Sequence, residues 1–273
     1  QIHVDYHEQG INNPYYFAPA AQPYHEVITK WQRDFQVTIG KNHAKYFDAN
    51  GWLYFTKEVF DLFYPSYGDT YPIYSGAIGM TYEQGGGPAG GLGALTDEGD
   101  TLTLLDRATH HYTTGLSTIE VSSQNASRLV KEFRKFFNDA VNTGIGEYKT
   151  YLIKNSNADR ERINTLTELL DKNGIQYEFA GGSSKGTFTG YNYFSGKDDA
   201  FTIDAGDLMI HSQQPRSALL KVVFEPKSKL VDSNTYDITA WSLPYVYGLK
   251  TFASKTRLQS SGGSKPATIT NNV

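Results

Sequence analysis

Two short runs constrain this chain more than any other stretch. Ile2-His3-Val4-Asp5-Tyr6-His7 alternates, with Ile2, Val4 and Tyr6 on one face and His3, Asp5 and His7 on the other. Such alternation is the period of a half-buried strand. Ala77 to Tyr82 is a short apolar run of the kind a buried strand makes. Glu83 follows it, just before glycines 85, 86, 87, 90, 91 and 93. Both runs predict strands that end by delivering a polar side chain to a site. The chain opens inside the first run with no initiator Met. That start predicts a fragment or processed product.

Around these runs the pattern predicts an α/β protein. Residues 11–22 carry two Pro and an Asn-Asn pair and read as loop. A helix is predicted over 24–37, with Val27, Trp31 and Phe35 four apart. Tyr64-Pro65-Ser66-Tyr67-Gly68-Asp69 is a turn by composition, and Leu92 to Leu105 a hairpin. The clearest helix is in 123–142: Leu129, Val130, Phe133, Phe136, Phe137, Ala140 and Val141 form an apolar stripe. Residues 143–146 then mark a boundary. Beyond it, a strand over 148–153, a helix over 159–172 and a strand over 175–179 predict a parallel βαβ unit. A strand within 201–210, a helix at 217–224 and a short element at 236–243 follow, and 259–273 reads as a tail. The expected domains are thus 1–143 and 147–258. The second opening resembles, faintly, glutamine-amidotransferase-like flavodoxin folds. Their Cys nucleophile is absent, so a packing or recognition role is expected of it.

Composition removes several functions. The 25 basic and 29 acidic residues give a net charge of -4, and no basic stripe supports a nucleic-acid partner. No apolar run is long enough to span a bilayer. Cysteine is absent, which excludes disulfides, thiolate metal sites and Cys nucleophiles. The glycine run lacks both G-x-G-x-x-G and the P-loop Lys, so it predicts a mobile loop bordering a site, not a phosphate cradle.

His7 is a candidate metal ligand, and Asp5 on the same face could orient its imidazole. His3 and His7 lie ~13 Å apart along a continuous strand, so the strand supplies only one or two ligands to one ion. Position 11 is Ile, which excludes the His-Glu-x-x-His zincin motif. Glu83, at a strand end facing glycines, is a candidate general base. His110-His111 could bind metal only adventitiously, and His211 is expected to be a loop residue.

Asp5-Tyr6-His7-Glu8-Gln9-Gly10, Glu58 to Pro65 (EVFDLFYP) and Met80-Thr81-Tyr82-Glu83-Gln84-Gly85-Gly86 resemble the second half of a zinc carboxypeptidase. The family is the carboxypeptidase A-like one, in a secreted bacterial branch. The resemblance covers roughly residues 1–143. It implies the C-terminal part of a mixed-sheet peptidase domain over these residues, while the βαβ pattern beyond them predicts a smaller Rossmann/flavodoxin-like domain. It implies His7 as the third zinc ligand and Glu83 as catalytic base. Asp69, 14 residues before Glu83, matches the spacing of the family's pocket-floor Asp. The specificity pocket then falls at Tyr67 to Tyr71, with Tyr64 as the substrate-capping tyrosine. The implied substrate is the C-terminal residue of a peptide, or a peptidoglycan stem, met in an extracellular or periplasmic setting. One departure is serious. The family's other zinc ligands come as His-x-x-Glu, and no His here has Glu three positions later. The Asn-Arg pair that holds the substrate carboxylate is absent too. Zinc is therefore expected in an intact parent and not tightly in this chain alone. The rival expectation is a non-catalytic peptide- or glycan-binding module. The exposed strand edge at residues 1–7 predicts self-association.

Overall fold

The computed structural model describes residues 1–87, 90–184, 186–230, 235 and 240–259. It is mixed α/β and divides into two compact units. One is built on residues 1–135, the other on 136–228 with the described residues from 240 on.

The first unit opens with β1 (Ile2–Gln9), β2 (Tyr15–Tyr16), β3 (Ala21–Tyr24) and α1 (Lys30–Asn50). Then come β4 (Tyr54–Phe55), β5 (Asp61–Leu62), α2 (Thr70–Tyr74), β6 (Ile78–Gly85), β7 (Gly93–Leu95), β8 (Thr101–Thr103) and α3 (Leu104–Gln124). The division between the units falls inside α4 (Ala126–Asn142). The main sheet has the order β1-β6-β2-β4. β1 and β6 run parallel, in register from Ile2 beside Ile78 to Gln9 beside Gly85. The expected hairpin is present, with Gly93 opposite Thr103.

Two readings need correction here, and a third element was not foreseen. Residues 11–22 are not simply loop: Tyr15, Tyr16 and Phe17 are buried, and Tyr15 and Phe17 pack into a core with Phe35, Phe47 and Tyr82. A two-residue strand is too short to show alternation. The first helix starts at Lys30, which leaves Val27 outside it. Thr29 caps it, accepting from Gln32 N at 3.2 Å while the Gln32 side chain accepts from Thr29 N. Gly51, with φ 67°, ends it, a conformation only glycine adopts freely. The third is α3, for which no apolar stripe gave notice. Its buried face is Arg107, Thr114, Ser117, Thr118 and Val121. Those hydroxyls meet polar partners in the core: Tyr82 Oη lies 2.8 Å from Thr118 Oγ1, and Tyr15 Oη 3.0 Å from Thr114 Oγ1. A helix buried through hydroxyls satisfies its polar groups without any amphipathic period.

In the second unit, β9 (Thr150–Ile153), α5 (Arg160–Lys172) and β10 (Glu178–Phe179) are followed by β11 (Phe188–Asn192), β12 (Lys197–Phe201) and β13 (Leu208–His211). α6 (Ser217–Phe224), α7 (Leu243–Val246) and β14 (Thr251–Ser254) complete it. The sheet order is β10-β13-β9-β14-β11-β12. Every pairing in it is antiparallel. The Rossmann/flavodoxin-like parallel sheet is therefore not formed. β9 and β10 do run in the same direction, as a strand–helix–strand requires. The fully buried Leu208-Met209-Ile210 strand lies between them. β11 and β12 form a hairpin with Phe188 opposite Phe201, and polar Lys197, Asp198 and Asp199 mask the second strand in the sequence. Residues 236–239 and 260–273, and with them most of the expected short element and tail, lie outside the described residues. Among the described residues no helix is long and apolar enough to cross a membrane.

Candidate active site

The register of β1 on β6 sets the site. It places Asp5 beside Thr81 and His7 beside Glu83. Residues paired across adjacent strands project to the same face, so these four share one side of the sheet. The turn before α2 closes over that face because two glycines let it. A Cβ on Gly68 would stand 1.8 Å from Asp5 Oδ2, and one on Gly79 2.0 Å from the Asp69 carbonyl oxygen. A larger residue at Gly79 would meet backbone, and one at Gly68 would displace the Asp5 carboxyl. Asp69 is thereby laid over Thr81, whose Oγ1 donates to Asp69 Oδ2 at 2.9 Å.

The result is a cleft of ≈ 210 Å³ whose lining includes Asp5, His7, Asp61, Tyr67, Asp69 and Glu83. It brings together every expected site residue except Tyr64. The Tyr64 ring packs edge-on against Tyr67 at 5.1 Å between centroids and does not line the cleft. Asp61 was missed from the sequence. Its only signal is a polar residue inside the apolar run Val59 to Phe63.

His7 stands between two carboxyls. Its Nε2 is 3.3 Å from Asp5 Oδ1, and its Nδ1 is 3.8 Å from Glu83 Oε1. More than half of the His7 side chain is exposed, while Glu83 is buried and its Oε2 has no hydrogen-bond partner. Burial pushes the Glu83 carboxyl up to about 7; His7 opposes this, and Asp5 and Asp69 add to it. Burial likewise raises Asp69 to about 6, against the pull of the Thr81 hydroxyl. A carboxyl poised near neutrality can take a proton and return it, which is what a general base needs.

A catalytic zinc takes three protein ligands and keeps one position open. Among the described residues, no group of three His, Cys, Asp or Glu is arranged to hold a metal ion. His7 offers one nitrogen, and the described residues do not complete a zinc site by themselves. Three other imidazoles are committed elsewhere. His110 Nδ1 lies 2.7 Å from Gln84 Oε1, and His111 Nδ1 2.7 Å from Tyr15 Oη. His211 is a strand residue on β13, not a loop residue, with Nε2 3.0 Å from Glu178 Oε1. At Gly90 a Cβ would lie 2.3 Å from Arg107 Nη1, the end of a flexible side chain.

No family model matches the chain, and neither does any curated protein or solved structure. The comparisons thus do not place it in the carboxypeptidase A-like family.

Proposed function

We propose that the cleft is a hydrolytic centre of carboxypeptidase type, cutting the C-terminal peptide bond of a peptide or peptidoglycan stem outside the cytoplasm. The observation that carries this is the pairing of His7 with Glu83 across β1 and β6. Glu83 accepts a proton from the attacking water and passes it to the leaving amine. Asp5 holds one edge of the His7 ring and so orients it. A zinc ion at His7 would need ligands beyond the described residues. The incomplete donor set favours a second reading, a non-catalytic peptide- or glycan-binding cleft.

The 273-residue chain alone is expected to be inactive. If a longer product of the same gene carries His-x-x-Glu, release of C-terminal amino acids from it is expected, and Glu83→Gln should lower that release by roughly 10²–10⁴-fold. Undiminished release in Glu83→Gln would remove Glu83 as base. Tight peptide binding with no release from any form would favour the binding module.

A further inference from the structure

Side chains alternate along β6, so Gln84 faces the opposite side of the sheet from Glu83. There it lines a second cavity, of ≈ 340 Å³, with Tyr15, Trp52, Asp100 and His110. Sites for small ligands run from about 300 to 1,000 Å³. No residue of this cavity lines the β1/β6 cleft. Its walls are tied together. Asn12 Nδ2 donates to Asp97 Oδ2 at 2.7 Å, and Asn12 Oδ1 accepts from Asp97 N at 3.0 Å. That pair joins the loop after β1 to the turn between β7 and β8. Trp52 N donates to Phe47 O at 3.0 Å, and Tyr15 N to Leu53 O at 3.1 Å. The Trp52 ring packs on His110 at 4.5 Å between centroids and edge-on to Phe47 at 5.3 Å.

The buried part of the lining is uncharged. Tyr15 and Gln84 are buried. Gln84 Nε2 donates to Gly85 O at 3.1 Å, which leaves its Oε1 to accept from His110 Nδ1 at 2.7 Å. Nδ1 therefore carries the hydrogen, and Nε2 is an acceptor. Burial holds the His110 pKa below its ordinary value, so the ring is neutral at pH 7. Charge enters through carboxylates alone. Asp106 is held in the cap of α3, while Glu98 and Asp100 are exposed. No lining residue is Lys or Arg, so an anion finds no partner. No three-donor metal set exists among the described residues either.

We propose that this cavity binds a neutral pyranose saccharide, with a ring face on Trp52 and its hydroxyls shared between Asp100 and His110. A hydroxyl both donates and accepts, so it serves a carboxylate, an amide and an imidazole nitrogen alike. A pyranose also has a C–H face. A large, rigid indole covers such a face at little cost in side-chain freedom. The proposal goes beyond the reading of the β1/β6 cleft and stands whether or not that cleft is catalytic.

The test is calorimetric titration of the 273-residue chain with three neutral trisaccharides: cellotriose, maltotriose and tri-N-acetylchitotriose. Sorbitol offers hydroxyls without a ring face, and trigalacturonate offers ring faces with negative charge. At least one neutral trisaccharide is expected to bind about ten-fold or more tightly than sorbitol, through the apolar area its rings bury. Trigalacturonate should bind no better than sorbitol. Asp100→Ala alters an exposed side chain and should weaken the bound trisaccharide about ten-fold, as loss of a hydrogen bond to a charged group warrants. Trp52→Ala should remove the advantage over sorbitol, with circular dichroism confirming the fold of both variants. Glu83→Gln should leave the affinity unchanged. If no neutral trisaccharide exceeds sorbitol, or trigalacturonate binds as tightly as they do, the proposal is overturned. A trisaccharide affinity untouched by both Asp100→Ala and Trp52→Ala overturns it as well. So does an affinity lost in Glu83→Gln, which would move the saccharide into the β1/β6 cleft.

Discussion

His43 lies completely buried on α1, its ring edge-on to Tyr82 at 5.0 Å and to Phe17 at 5.1 Å. Nδ1 is 2.7 Å from Ser117 Oγ, and Nε2 has no partner. Burial pushes its pKa down to about 3. The folded state therefore holds a neutral imidazole, while the unfolded chain takes up a proton below about 6.5. The stability this group contributes is complete above pH 6.5 and is lost as pH falls toward 3, at ~1.4 kcal/mol per pH unit. Glu83 and Asp69 act oppositely, since raised carboxyl pKa values favour the fold at low pH and cost stability as pH rises toward 7 and 6. A comparison with His43→Gln cancels that shared slope. Between pH 6.5 and pH 5 the wild type should lose ~2 kcal/mol more than the variant in urea unfolding. Parallel pH profiles would show that His43 is not neutral in the fold. At this scale much of the site was legible. Alternation assigned Asp5 and His7 to one face, and the strand end assigned Glu83. The spacing of Asp69 was legible only through the family resemblance. Tyr64, expected to cap the substrate, packs on Tyr67 outside the cleft lining, and turn composition does not say which tyrosine faces inward.

The elements the sequence showed clearly are those whose core face is apolar. α5 and α6 were legible to within a residue because Ile163, Leu166 and Leu170, and Leu219, Leu220 and Val222, carry their burial. α3 was not, because threonine and serine hydroxyls take the place of that stripe. Its start does carry a local signal, Thr-x-x-Asp. Thr103 Oγ1 accepts from Asp106 N at 3.1 Å, and Asp106 Oδ2 accepts from Thr103 N at 2.9 Å. With few apolar side chains buried along it, α3 should lean on this cap. Thr103→Ala is expected to cost ~1 kcal/mol, within the usual range of about 0.5–2 for a lost N-cap. Urea unfolding followed by circular dichroism measures it, and an unchanged midpoint would show that the capping box contributes nothing. The second unit failed at a different step. Strand–helix–strand fixed the direction of β9 and β10, but adjacency depends on a third strand far along the chain. Nothing local to 148–179 announces β13.

Across the whole chain, the long-range pairing of β1 with β6 is what builds the cleft, and periodicity alone could not have specified it. Among the described residues, the same pairing leaves β1 at the end of its sheet, hydrogen-bonded to a strand on one side only. An open edge of this kind is a template for another chain. α3 of the same unit adds an apolar surface. Leu105, Tyr112, Leu116 and Ile119 recur at helical spacing along one face and are 75, 67, 49 and 65% exposed. Exposed apolar stripes of this sort mark association surfaces. A second copy is a self-consistent occupant. Antiparallel pairing of two β1 strands about Tyr6 would set each Asp5 opposite the other copy's His7, an attractive cross-strand pair. Sedimentation velocity should therefore show the mass of the 273-residue chain rising with concentration. Leu116→Lys combined with Ile119→Lys replaces exposed positions only, so it should keep the helical signal while shifting the population toward monomer. A wild type that stays monomeric at high concentration would exclude self-association. A wild type that associates equally well with both lysines in place would assign the contact to the β1 edge alone.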